Sequence, residues 1–357
     1  MVSTQTKRVL MQKLKVTSME LSDRKKKILS SVIEKYIQTG EPVGSKVLCE
    51  GLSVSSATIR NEMAELSEIG YLEQPHTSAG RIPSQKGIRY YVNNLMPVYE
   101  ISNADRFAVQ SLFDNSDGEP EDILSDATKL LSEITGCAAA ALTPYDVNAF
   151  IKRVELVPLG AKTAMVVLLL STGVIKSRIC RSDTEIDITI AELFYNIAAA
   201  HFVGRTADEL TIADIQTIAA SLGDKALDMT PLIVALTDLA REASRRNIIV
   251  EGQSKLLGFK ELESDVYNIF EHFRNTSALS GILSSGKDQL NVSIGRESHS
   301  RAFENASIIC SKYSVGGRVV GAIGIIGPMR MDYSRIIPNI VNISESVGKV
   351  LSELTDN

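Results

Sequence analysis

The 357-residue sequence has no hydrophobic run long enough to cross a membrane and no closely spaced pair of cysteines. Its longest aliphatic run, Ala164 to Leu170, is about a third of the roughly 20 residues that a membrane helix requires. Because the first 18 residues contain scattered lysines and no apolar segment, we expect no secretory signal there. Four dispersed cysteines favour a reducing cytoplasm, where such thiols serve as small buried hydrophobic side chains: Cys49, Cys137, Cys180 and Cys310.

Sequence patterns of catalysis and cofactor binding are also scarce. The four histidines are dispersed, so their spacing predicts no zinc site. The sequence contains neither a phosphate-binding GxxxxGK[ST] loop nor a GxSxG nucleophile turn. Gly321, Gly324 and Gly327 have the spacing GxxGxxG, which differs from the GxGxxG of dinucleotide sites. We therefore expect a protein that is not an enzyme and has no cofactor and no metal site.

Composition and charge point to a multidomain globular protein. With 44% hydrophobic and 23% charged residues, the chain has the ordinary balance of a folded protein, and this excludes a disordered chain and a small disulfide scaffold. Its length predicts two or three domains. Residues 1–96 contain 14 Lys and Arg against 9 Asp and Glu, whereas the rest contains 24 against 34. A basic N-terminal part on an acidic body is typical of a nucleic-acid-binding protein with a separate regulatory or assembly part.

The N-terminal part has the pattern of a helix-turn-helix. Ser22 can cap a helix with an apolar face, and Gly40 can end that helix. A short helix over 45–50 and a turn at 51–53 precede a longer helix from about Ser55 to Ile69. The apolar residues of the longer helix recur with the spacing of one buried face: Ile59, Met63, Leu66 and Ile69. Two helices joined by a short turn with glycine predict a helix-turn-helix whose second helix is the recognition helix.

A hairpin follows this helix directly. The segments 71–74 and 81–83 are strand-like, and the polar turn 75–80 joins them. Ser84 then caps a further helix, and Pro97 follows it. A hairpin in this position is the wing of a winged helix, so residues 21–96 are predicted to form a winged helix-turn-helix DNA-binding domain after an N-terminal extension over 1–20.

The rest of the chain is predicted to be an α+β domain with an inserted helical domain. A cluster of helix-breaking residues at 115–120 marks a linker over 97–120. Four strand-like segments from Cys137 to Ser182 predict an antiparallel meander. Helical patterns fill 183–246, after which strand patterns return and a final helix, kinked or begun at Pro338, closes the chain. This division gives an α+β domain with an antiparallel sheet over 121–182 and 247–357, and an insert over 183–246.

The recognition helix offers side chains that suit DNA bases. Arg60 can bond a guanine edge bidentately, and Asn61 can bond an adenine edge in the same manner. The acidic residues Glu62 and Glu65 should face away from the groove or rest near the backbone at its rim. We expect the Lys and Arg residues around 24–27 and 81–89 to contact mainly phosphates, which position a protein on the duplex.

Several motifs together resemble one bacterial family, the heat-inducible transcription repressor HrcA. These motifs are the run from Glu41 to Lys46, the helix VSSATIRNEMAELSEIGYL, the wing EQPHTSAGRIPS, and the later passages GQSKLLG, IGRES and GAIGIIGPMRMDYSRIIP. The resemblance extends in order from Leu21 to the C-terminus. It implies a dimeric repressor with a winged-helix head, a GAF-like α+β domain and an inserted dimerisation domain. It also implies an inverted-repeat operator, called CIRCE, upstream of chaperone operons, and a DNA-binding form that depends on the GroEL/GroES chaperonin.

Carried over to matching positions, the resemblance assigns DNA contacts to the recognition helix and the wing. The implied contact residues are Ser55, Ser56, Ala57, Thr58, Arg60, Asn61, His76, Thr77, Ser78, Ala79, Gly80 and Arg81. The tract after the wing, residues 84–89, departs from the family pattern, and this leaves the fine affinity open. One winged helix reads only a handful of base pairs, so a two-fold dimer, with its interface in the insert, accounts for an inverted-repeat operator.

Two other functional hypotheses remain open at the level of the sequence. The β-rich domain could bind a metabolite and make the protein a ligand-responsive transcription regulator. Alternatively, the chain could be an enzyme that carries a DNA-binding head, although the sequence order shows no convergent acid, base or nucleophile. A ligand that raises the melting temperature and changes operator affinity would distinguish the first hypothesis from the others.

Overall fold

The computed structural model describes residues 21–52, 54–76, 79–97, 100–113, 119–145, 148–206, 209–243 and 246–355. The predicted N-terminal extension, residues 1–20, lies outside this range. The described chain contains a winged-helix head, a five-stranded sheet covered by helices, and a three-stranded sheet with helices of its own. The predicted α+β organisation with an N-terminal winged helix is therefore confirmed.

The head has the order of elements that the sequence predicts. Its elements are α1 (Asp23–Thr39), α2 (Ser45–Leu48), α3 (Ser56–Glu68), β1 (Leu72–Glu73), β2 (Ile82–Pro83), α4 (Gln85–Tyr90) and a π-helical turn (Tyr91–Leu95). The side chain of Ser22 accepts a hydrogen bond from the Lys25 N–H at the start of α1. Gly40 ends that helix with a φ of 69° and donates its N–H to the Tyr36 carbonyl. These local signals set the helix ends where the sequence predicted them.

Two further helices lie between the head and the first long strand, α5 (Asn103–Phe113) and α6 (Pro120–Thr135). The predicted linker over 97–120 is thus largely occupied by α5. Val109 of α5 is buried in the main core, and Asp105 accepts a hydrogen bond from Arg335. The helix therefore packs on the body of the protein. Of the predicted breaker cluster at 115–120, only residues 119 and 120 lie within the described ranges.

Strands after α6 are divided between two antiparallel sheets. Their bounds are β3 (Ala138–Leu142), β4 (Ile151–Gly160), β5 (Thr163–Leu170), β6 (Ile175–Arg181), β7 (Ile248–Glu251), β8 (Leu290–Ile294), β9 (Ala306–Val315) and β10 (Arg318–Pro328). The larger sheet has the order β7-β3-β10-β9-β8, and the smaller has the order β4-β5-β6. The predicted four-strand meander is wrong for β3, which pairs with β10 and β7 instead of β4.

The smaller sheet forms one compact unit with three helices, α7 (Ile188–His201), α8 (Ile212–Ser221) and α9 (Ala226–Ala243). Alternate residues of β5, such as Val166 and Leu168, share a closed hydrophobic core with Phe194 and Leu236 from the helices. The insert predicted over 183–246 therefore has its strands as well as its helices in this unit, which covers residues 149–243. Sequence periodicity could not show this, because the smaller sheet buries one face on helices that come later in the chain.

Helices cover both faces of the larger sheet. The described helices that follow the insert are α10 (Val266–Arg274), α11 (Thr276–Leu283) and α12 (Tyr333–Thr355). One face of the sheet packs on α10 and α11, and the other packs on α6, α12 and the head. Pro338 lies inside α12, which begins at Tyr333, so the proline neither starts the helix nor ends it.

Candidate DNA-binding surface

The start of α3 is fixed by hydroxyl groups that the resemblance assigns to DNA contact. Ser55 caps the helix: its Oγ accepts from the Thr58 N–H at 3.2 Å and lies 2.9 Å from Thr58 Oγ1. The Ser56 hydroxyl lies 2.9 Å from the Ser45 hydroxyl of α2. Ser55 and Ala57 are exposed, whereas Ser56 and Thr58 are half-buried. These residues set the angle at which α3 leaves the turn and present small side chains at its exposed end.

Arg60 and Asn61 lie on the solvent side of α3. Both are exposed, and neither side chain forms a hydrogen bond or an ion pair with another described residue. The opposite side of α3 is buried against α1 through Ile59, Met63 and Leu66. The helix therefore holds the Arg60 guanidinium and the Asn61 carboxamide toward solvent, while its buried side keeps it in place. Recognition of base edges in a major groove requires this geometry.

Glu62 faces inward, as predicted, and binds two cations of α1. It is buried, with its Oε1 2.5 Å from Arg24 Nε and its Oε2 3.1 Å from Lys25 Nζ. Lys25 also binds Glu65 at 2.6 Å. Burial alone would raise the pKa of Glu62, but the hydrogen bonds from Lys25 and Arg24 outweigh it and hold the pKa below its ordinary value. This ion-pair cluster fixes the recognition helix on α1.

The cluster corrects the expectation that the cations around 24–27 mainly contact phosphates. Arg24 and Lys25 are held by acidic side chains of α3, and Lys26 lies 3.6 Å from Asp23. Lys27 is exposed and forms no ion pair with a described residue, so it remains a candidate phosphate contact. Sequence reasoning overlooked the cluster, although Glu62 occupies the same helical stripe as Ile59, Met63 and Leu66.

The wing is anchored by its backbone. Val43 and Arg81 form an antiparallel bridge, with both N–H to O distances at 2.9 Å. A Cβ atom on Gly80 would lie 2.5 Å from the Val43 carbonyl, so only glycine allows this close approach. His76 is exposed, and its carbonyl accepts from the Ala79 N–H at 2.9 Å. Of the predicted wing contacts, Thr77 and Ser78 lie outside the described residues.

The two cations after the wing are both engaged by other parts of the protein, Lys86 within the head and Arg89 on the body. Arg89 binds both carboxylate oxygens of Glu297 and donates to the Val292 carbonyl at 2.5 Å. Lys86 donates to the Ile69 carbonyl at 2.8 Å, with its ammonium 4.5 Å from the centre of the Tyr71 ring. The prediction of phosphate contacts around 81–89 is therefore wrong for Arg89, whose guanidinium joins the head to the turn after β8.

Comparison with known proteins identifies the family. Residues 20–92 match the family model described as winged helix-turn-helix transcription repressor, HrcA DNA-binding, and residues 121–337 match HrcA protein C terminal domain. The heat-inducible transcription repressor HrcA of Thermoanaerobacter sp. (strain X514) is 36% identical over 340 residues, covering 94% of this chain and 98% of that protein. The HrcA of Acetivibrio thermocellus is 35% identical over 353 residues, covering 94% and 99%. The chain belongs to the HrcA family.

A solved structure shares the fold of this HrcA-family chain. The crystal structure of a hypothetical protein superposes with a TM-score of 0.71 at 24% sequence identity, covering 94% of this chain and 100% of the other. At that identity the likeness concerns the fold alone. Because it covers 94% of this chain, the likeness extends over the head, the α+β body and the insert.

Metal-ligating side chains, thiols and long apolar helices are the other features of the described chain to which a function could be assigned. Among the described residues, no three His, Cys, Asp or Glu side chains come together in a way that could hold a metal ion. Burial raises the pKa of the Cys137 and Cys310 thiols to about 12, so both behave as the small hydrophobic groups that the sequence predicted. Cys49 and Cys180 are half-buried and are also unbridged. None of the helices within the described ranges is both long and apolar enough to cross a membrane.

Proposed function

We propose that this protein is a heat-responsive transcriptional repressor that binds the inverted-repeat CIRCE operator as a dimer, upstream of chaperonin and other chaperone operons. The observation that carries the proposal is the outward pair Arg60 and Asn61 on a recognition helix whose other side is held rigidly by Glu62. Membership of the HrcA family supports it, because the relatives are named heat-inducible transcription repressors.

Two groups of contacts follow from this geometry. Arg60 and Asn61 read base edges in the major groove, while Ser55, Ser56, Ala57 and Thr58 approach the groove wall and the adjacent phosphates. The wing from His76 to Arg81 contacts the neighbouring backbone or minor groove. Gly80 serves this contact indirectly, because it lets the wing pack against Val43.

The outer face of the three-stranded sheet supports the proposal of a dimer. Six apolar residues on this face alternate with the buried ones: Val157, Met165, Val167, Leu169, Ile175 and Ile179. Polar side chains share the same face at its margins: Arg153, Glu155, Thr163, Ser177 and Arg181. Ile179 is 65% exposed and Ile175 is 43% exposed, which is unusual for isoleucine on a sheet. A second copy of this chain is the occupant we assign, since a two-fold dimer through the insert places two heads on an inverted repeat.

Heat acts through the fold itself in this proposal. A chain with several separate cores populates partly folded states on warming, and these expose apolar surface and lose the operator-binding arrangement. The GroEL/GroES chaperonin binds such states and returns the chain to its DNA-binding form. When other unfolded proteins occupy the chaperonin, the repressor stays inactive and the chaperone operon is transcribed.

A gel-shift assay with a CIRCE duplex tests this cycle. Chaperonin with ATP should raise the operator-bound fraction after a brief heat step, and an excess of denatured client protein should remove that gain. The matched control is chaperonin without ATP, which should capture the chain and not release it. Operator binding that is indifferent to both additions would contradict the chaperonin part of the proposal.

Metabolite sensing is the second candidate function. A cavity between the head and the α+β body favours it, because a ligand bound there would contact both parts. A small metabolite that controls operator binding, in place of chaperonin, would make this the main function.

A further inference from the structure

A cavity of about 350 Å³ lies where three parts of the chain meet. One wall comes from α1 of the head, the second from the start of α5 and the residues before it, and the third from the first turns of α12. Ile37 and Ile101 give the cavity an apolar side. Its volume lies within the lower range of small-molecule sites, about 300–1,000 Å³.

Asp105 is a buried acidic residue in the wall of the cavity. Its carboxylate accepts from Arg335 Nη2 at 3.3 Å and from Asn339 Nδ2 at 3.4 Å. Both distances are long for bonds to an ionised carboxylate, which are commonly about 2.7–2.9 Å. The carboxylate therefore retains capacity to accept a stronger hydrogen bond from a group in the cavity.

Asn339 presents a second unused acceptor. The side chain is 1% exposed, and its Oδ1 has no hydrogen-bond partner, although its Nδ2 is bonded to Asp105 and to the Arg335 carbonyl. Pro338, which also lines the cavity, has no N–H, so the Ser334 carbonyl lacks its usual donor in the helix. A buried acceptor without a donor is unfavourable, so these groups favour an occupant that donates hydrogen bonds.

The charges that line the cavity also favour a cationic occupant. The cavity is lined by four carboxylates, Glu34, Glu100, Asp105 and Asp332, and by one guanidinium, that of Arg335. Asp332 is already used, because it accepts from Ser334 Oγ and from the Arg335 N–H at the start of α12. The exposed Glu34 and Glu100 at the mouth add negative charge that attracts a cation.

We propose that this cavity binds a small organic cation with a primary ammonium group. An ammonium has three donors and no acceptor, which matches the carboxylates of the wall and the unpartnered Asn339 Oδ1. Its alkyl part would lie along Ile37 and Ile101. A metal ion suits the site less well, since the carboxylates of the described chain do not converge as a ligand set.

The ligand would touch the DNA-binding head through α1 and the α+β body through α12. Binding would therefore stabilise the contact between these two parts by mass action. The proposal depends on the cavity alone and does not require that the operator or the chaperonin be those named above.

Calorimetric titration of the full-length protein with 1,4-diaminobutane tests the site. The diamine should bind saturably with one ligand per chain, and the neutral isostere 1,4-butanediol should not bind. Asp105→Asn removes the buried carboxylate charge of the wall and should weaken binding about 10- to 100-fold. Glu100→Gln, at an exposed position that cannot upset the fold, should weaken it about two- to fivefold. Glu133→Gln, an equal charge change on an exposed part of α6 away from the cavity, should have no effect.

Three results would overturn the proposal. The first is the absence of saturable diamine binding. The second is an equal loss for Glu100→Gln and Glu133→Gln, which would mean diffuse attraction to an acidic surface. The third is displacement of the diamine by an equal concentration of magnesium chloride, which would assign the acceptors to a metal ion. A loss confined to Asp105→Asn and Glu100→Gln supports the site.

Discussion

The head and the insert differ in how they bury their apolar side chains. The helices of the head belong to one continuous core with a face of the five-stranded sheet, so that Leu66 and Ile323 lie in the same cluster. The insert closes a core of its own around Phe194 and Phe202. The DNA-binding head thus shares its hydrophobic core with the α+β body. The insert, which interrupts the body in sequence, has a separate core.

Their outer surfaces differ as well. The head exposes polar side chains on α3, including Arg60 and Asn61, while the insert exposes isoleucines on β6. A polar face with forked donors suits DNA, and an apolar face suits another protein surface. Because the insert closes its own core, its removal should leave the rest of the chain folded, and its apolar face is the surface that the proposed dimer would use.

Removal of the insert is expected to change operator affinity more than any other variant considered. Replacing residues 148–243 by a short Gly/Ser linker should leave the rest folded, because Thr143 and Asn247 already bond to each other, with N–H to O distances of 3.0 and 2.9 Å. The product should be monomeric and should bind the full operator about 10²- to 10⁴-fold more weakly, since the second head loses its effective concentration. Light scattering and operator titration measure the two quantities.

A duplex with a single half-site provides the control for the deletion. Both proteins should bind it equally, because one head contacts it. If the shortened chain still dimerises, the interface lies outside the insert. If its far-ultraviolet circular dichroism shows a loss of the larger sheet, the insert is not independent.

A single substitution on the recognition helix should weaken operator binding less than the deletion does. It should affect binding to the operator and not binding to random DNA. Arg60→Ala should cost about 1–3 kcal/mol on the operator and little on random DNA, because a bidentate guanine contact carries discrimination between bases. Fluorescence anisotropy on both duplexes measures the difference. Arg274→Ala, which removes a guanidinium from the exposed end of α10, is the control and should change neither affinity. Equal weakening on both duplexes would show that Arg60 contacts phosphate.

Local sequence signals predicted the head well. Ser22, Ser55 and Ser84 cap helices where predicted, since a cap needs only a hydroxyl and the next turn of backbone. Arg60 and Asn61 were found because they lie outside the apolar stripe of their own helix.

Local sequence signals could not predict which distant strands and side chains pair with each other. β3 follows α6 and precedes β4 in sequence, yet it pairs with β10, which begins almost 180 residues later. The sequence predicts a phosphate contact at Arg89, because nothing near it in sequence shows that Glu297 lies beside it. Periodicity reports which face of an element is buried and not which distant element buries it.

The smallest expected effect comes from breaking the ion-pair cluster under α3, and it concerns the free energy of unfolding. Because the cluster contains the carboxylate of Glu62, the stability of the head depends on pH. Glu62 has a pKa below 4.5 in the folded protein, so its stabilising contribution is present above that pH and is lost as the pH falls through the lowered value. Glu62→Gln should therefore cost about 1–2 kcal/mol at pH 7, in the range of charge-assisted hydrogen bonds, and less at pH 3. Urea unfolding of the full chain at both pH values measures this.

Glu68→Gln separates the cluster from general charge effects on the same helix. Glu68 is exposed on α3, so its substitution should shift stability by no more than a few tenths of a kcal/mol at either pH. A cost of Glu62→Gln that stays constant from pH 7 to pH 3 would mean that Glu62 acts through packing and not through its charge. A cost that fades with acid would show that the recognition helix is held on α1 by the carboxylate, with Arg24 and Lys25 engaged in the head and withdrawn from the phosphates.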